Sequence, residues 1–112
     1  MNKEEILSLE HRLLLRFLDS LQLSALRQLN CATLLKGLSE DELTSFLDIL
    51  VQYCPNLTLL NLSQNQLSTL PSNISEIRSL NELILDSNQL KELPSSLQSL
   101  TRLTTLHLKN NP

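Results

Sequence analysis

A single glycine among 112 residues leaves nothing from which to build a glycine-rich phosphate loop. Tryptophan is absent and aromatic residues make up 3% of the chain against 41% hydrophobic in all, so a core has to be assembled largely from leucine. The most apolar run near the N-terminus, Leu13 to Leu18, is broken by Arg16, too short and too charged for a signal peptide or a spanning helix. Two cysteines, Cys31 and Cys54, stand outside any CxxC spacing; that favours a reduced, cytosolic setting over a secreted disulfide framework. His11 and His107 lie near opposite ends, with no partner spacing that points to a metal site or to a nucleophile and base. A net charge of −3 and a pI near 5.3, with no block of like charge, give no pull toward nucleic acid or an anionic membrane. The absences together predict a chain that is not an enzyme, needs no cofactor or metal, and neither binds nucleic acid nor inserts in a membrane.

What the chain has in abundance is itself. Aligned on Leu57, Leu80 and Leu103 it reads LTLLNLSQNQLSTLPSNISEIRS, LNELILDSNQLKELPSSLQSLTR and LTTLHLKNNP, a period of 23 residues. Each copy carries LxxLxLxxNxL, and the two complete copies continue xxLPxx(I/L)xx(I/L)xx, with Asn65, Asn88 and Asn111 in register and Pro71 above Pro94. A fixed period of this length marks a repeat architecture, in which one unit cannot bury its own apolar face and stacking creates the core. The pattern resembles leucine-rich repeats of the intracellular LPxxIxxL type, a class that includes scaffolds and bacterial effectors. The resemblance implies an α/β solenoid with parallel strands on its concave side and protein binding in the cytosol, or in the host cytosol for a secreted effector.

Read in order, residues 1–25 predict a helical cap: Ile6, Leu9, Leu13, Phe17 and Leu21 recur at helical spacing, and Asn2 with Glu5 makes a capping box. Residues 17–31, FLDSLQLSALRQLNC, also resemble the middle of an F-box, without its Leu-Pro opening. That resemblance implies a rival role, as substrate adaptor of a cullin ubiquitin ligase. Residues 26–56 read as a divergent, longer repeat in which Leu26, Leu29 and Cys31 point inward and Leu34 stands where the asparagine belongs. Gly37 allows a turn, Ser39 to Glu42 forms a second capping box, and Leu43, Phe46, Leu47 and Leu50 draw one face of a helix ending before Pro55. Residues 57–112 are two complete repeats and a third strand.

In a strand LxxLxL the leucines face the core and the residues between them face out. The outward positions align in columns: Leu59, Glu82 and Thr105; Asn61, Ile84 and His107; Ser63, Asp86 and Lys109; with Gln64, Ser87 and Asn110, and Gln66 and Gln89, completing the face. These are the candidate partner-binding residues, and Leu59 and Ile84 are apolar where solubility alone favours polar side chains. Asn65, Asn88 and Asn111 are expected to form a structural ladder of amides. Leu103, Leu106 and Leu108 fall on a last strand without a following cap, which predicts a terminal fragment of a larger array, an open edge available to a second copy, or an edge that frays and is tolerated.

Overall fold

The structure, a computed structural model, describes residues 24–112. Residues 1–23 of the N-terminal cap expected over residues 1–25, and the first seven residues of the F-box-like segment, lie outside the described residues. Four three-residue strands, β1 (Gln28–Asn30), β2 (Leu59–Asn61), β3 (Glu82–Ile84) and β4 (Thr105–His107), form one sheet in sequence order. Every pair is parallel, and the register joins Leu29, Leu60, Leu83 and Leu106 in a single inward column. Bonds beyond the strands prolong the pairing: Cys31 N donates to Asn61 O, Leu62 N to Ile84 O and Leu85 N to His107 O, at 2.8 to 2.9 Å.

The returns on the opposite side differ in kind, and the sequence says why. After β1 comes a 14-residue helix, α1 (Glu40–Tyr53). Ser39 caps it by accepting from Glu42 N, the Glu42 carboxylate accepts from Ser39 N, and Leu43, Phe46, Leu47 and Leu50 are buried along one face. The later returns are five-residue 3-10 helices, Ser72–Glu76 and Ser95–Ser99, opened by Pro71 and Pro94. Their serines compete with helix formation: Ser75 Oγ donates to Ser72 O and Ser99 Oγ to Ser96 O. Asn73 on the first of them donates to Thr44 O and to Asp48 Oδ1, tying it to α1.

Each return enters the next strand through a two-residue turn: Pro55–Asn56, Arg78–Ser79 and Thr101–Arg102. Leu57 N, Leu80 N and Leu103 N close these turns on the carbonyls of Cys54, Ile77 and Leu100. The core between sheet and returns is a stack of leucines. Leu57, Leu60, Leu62, Leu80, Leu83 and Leu85 have no exposed surface, whereas Leu103 and Leu106 in the fourth layer are half-buried and Leu108 is 38% exposed.

The divergent repeat follows the strand pattern and then departs from it. Leu34, aligned by spacing with the asparagines, is 67% exposed, and its neighbour Leu35 is buried instead. The chain between Cys31 and Ser39 passes through left-handed backbone at Thr33 (φ 66°) and Gly37 (φ 86°), which moves the inward position along by one residue.

Candidate functional site

The asparagine rows hold the layers in register. Asn88 Nδ2 donates to Leu62 O and Leu85 O, one carbonyl in the preceding layer and one in its own, while Oδ1 accepts from Asn65 N and Leu67 N. Asn111 repeats this a layer on, donating to Leu85 O and Leu108 O and accepting from Leu90 N. Asn65 donates to Cys31 O and Leu62 O and accepts from Leu35 N, so the row reaches into the divergent repeat that has no asparagine of its own. Gln64, Ser87 and Asn110, each just ahead of such an asparagine, adopt φ of 58 to 59°. That region costs a non-glycine residue about 1–2 kcal/mol, a strain sustained by the bonds on either side.

On the solvent side the register sets Gln28, Leu59, Glu82 and Thr105 in one column and Asn30, Asn61, Ile84 and His107 in the next. Leu59 and Ile84 are half-buried in adjacent columns. Directly beside Ile84 in its column, His107 reaches diagonally so that its Nε2 donates to Glu82 Oε2 at 2.8 Å, with both side chains about one third exposed. Several polar groups of the face are already engaged. Asn61 Oδ1 accepts from Ser63 N, Asp86 Oδ1 accepts from Lys109 N, and Asn110 Nδ2 donates to Ser87 Oγ.

Ser63 departs from the expected exposed column: it is only 8% exposed, drawn in where its backbone bridges Asn61 and the Thr33 turn. Gln64, Thr105 and Lys109 are exposed, and Gln66 and Gln89 lie beyond them on the same rim. The face therefore has a half-buried apolar centre, one carboxylate–imidazole pair and a border of amides and hydroxyls.

Both cysteines are buried and outside any disulfide, and burial pushes the Cys54 thiol above its ordinary 9.0, the opposite of what a reactive thiolate needs. Among the described residues no three His, Cys, Asp or Glu side chains gather as a metal site, and no helix is long and apolar enough to cross a membrane.

With this geometry in view, the comparisons identify the class of fold. The chain is similar to the solved structure of a leucine-rich repeat protein of Leptospira interrogans, with a TM-score of 0.60 and 24% identity over 82% of this chain. It spans 27% of the length of that protein. No protein-family model matches the chain, and no curated protein matches it. The fold is a leucine-rich repeat solenoid: mixed α/β, with its parallel strands in one sheet.

Proposed function

We propose that the chain is a non-catalytic protein-binding module whose partner docks on the concave face, across β2, β3 and β4. The observation that carries this reading is that Leu59 and Ile84, half-buried apolar side chains in adjacent outward columns, stand diagonally across β2 and β3, beside the hydrogen-bonded Glu82 and His107. An apolar centre with a polar rim is the anatomy of a protein interface. Amides and hydroxyls at the rim pair with a partner's backbone at less desolvation cost than charges. Four strands about 4.8 Å apart present a face near the lower limit of specific interfaces, which favours a short segment of the partner as the bound element. Two buried cysteines outside any disulfide fit a reducing compartment, and the cytosol is the proposed site of action.

The test is co-purification of partner proteins with the tagged chain and with an Ile84→Glu/Thr105→Arg variant. These two positions are preferable to Asn61, whose amide oxygen holds Ser63 N and whose loss would disturb the strand exit. The reading expects the variant to melt as the parent does and to lose a specific partner. Retention of every specific partner by the folded variant would remove the concave face as the binding site.

A further inference from the structure

The stacked turns ahead of the strands carry a second surface, away from the concave face. A groove of about 370 Å³ runs along them, lined by Pro55, Arg78, Ser79, Ser99, Thr101 and Arg102. Arg78 is the first residue of its turn and Arg102 the second of the next, so the two arginines are diagonal neighbours on layers about 4.8 Å apart. Among the described residues neither guanidinium is engaged in a hydrogen bond or an ion pair. No carboxylate lines the groove; Glu76 borders the adjoining hollow with Arg78 and lies beyond ion-pair distance of it.

The second turn position is used differently in each layer. Asn56 donates to Ser24 O and Ser79 to Leu57 O, both reaching back along the stack, but Arg102 is too long and too charged for that bond and leaves its side chain outside. The Ser79 and Ser99 hydroxyl protons are spent on backbone carbonyls, whereas the Thr101 hydroxyl has no partner among the described residues. The groove thus offers two guanidinium forks and one hydroxyl donor around a space free of negative charge.

We propose that this corner is a binding site for a phosphate dianion, free or as a monoester, held by Arg78 and Arg102 with Thr101 donating the third bond. A tetrahedral group with three free oxygens can take two forks and a hydroxyl at once, where a planar carboxylate presents only two oxygens. The groove is larger than the anion, leaving room along Pro55 for the organic side of an ester. The site shares no side chain with the concave face, so its success or failure is independent of partner binding there.

The test is an NMR titration of the uniformly ¹⁵N-labelled full chain with inorganic phosphate and, separately, O-phosphoserine, at constant ionic strength. Saturable shifts centred on residues 78, 79, 101 and 102 are expected. Arg78→Gln and Arg102→Gln should each weaken the affinity about tenfold, the scale of one charge-assisted hydrogen bond. Tighter binding of phosphoserine than of phosphate assigns the site to an ester, and equal binding assigns it to the free anion; both sustain the proposal. Thr101→Glu sets a carboxylate in the groove while keeping both arginines, and should abolish the shifts even if an arginine variant proves unstable. Shifts that never saturate, or that persist in the Arg78→Gln/Arg102→Gln double variant or in Thr101→Glu, would overturn it.

Discussion

Asn88 bonds to two layers at once, and what its removal leaves behind is more costly than the bonds themselves. With Asn88→Ala the N–H groups of Asn65 and Leu67 and the carbonyls of Leu62 and Leu85 lose a partner inside the stack. The expected loss is about 3 kcal/mol, the upper end of the cost of orphaned buried groups, read as a fall in the urea midpoint with an unchanged slope. A loss below about 1 kcal/mol would mean that water replaces the amide. The alignment of Asn65, Asn88 and Asn111 is visible in the sequence, because one type of bond repeated at one period needs one residue type in register. That the row continues to Leu35 is not visible there: Asn65 finds that N–H only after the left-handed step at Thr33 has shifted the chain by one residue. Ser63 escaped the pattern for a similar reason, since alternation along a strand gives a direction and not the depth to which the strand exit folds over it.

At the scale of elements, the first return is a helix and the later ones are 3-10 turns because only the first has both a cap and an apolar stripe long enough to use it. Ser39→Ala removes the hydroxyl that holds Glu42 N and leaves only the return bond, from the backbone N–H of residue 39 to the Glu42 carboxylate. The variant should be about 1 kcal/mol less stable, measured by the same urea unfolding. Ser95→Ala, at a 3-10 helix whose cap, Pro94, makes no side-chain bond, should be close to neutral. Equal effects at the two sites would contradict the capping account. The helix was legible from SEDE followed by Leu43, Phe46, Leu47 and Leu50, and the strands from LxxLxL. The choice between extended and 3-10 returns was not, because Ser72, Asn73 and Ser75 have weak preferences that packing against α1 decides.

Across the whole molecule, stability passes from layer to layer. A fragment of residues 57–112 keeps both complete repeats but loses α1, β1 and the groups that Asn65 bonds on its far side. Far-UV circular dichroism of that fragment should show no cooperative melting transition, as a repeat array deprived of its first layers lacks nearest-neighbour energy. A sharp transition would locate the stabilising contacts within residues 57–112. The same nearest-neighbour bonding limits how such a chain could change in length. Each ladder amide speaks to its own layer and the one before, so duplicating or deleting a whole 23-residue unit leaves every remaining amide with both of its listeners. An insertion of a few residues between a strand and its asparagine silences one of them. Over evolutionary time this architecture is therefore free to lengthen or shorten in whole layers, and is nearly closed to anything smaller at that corner.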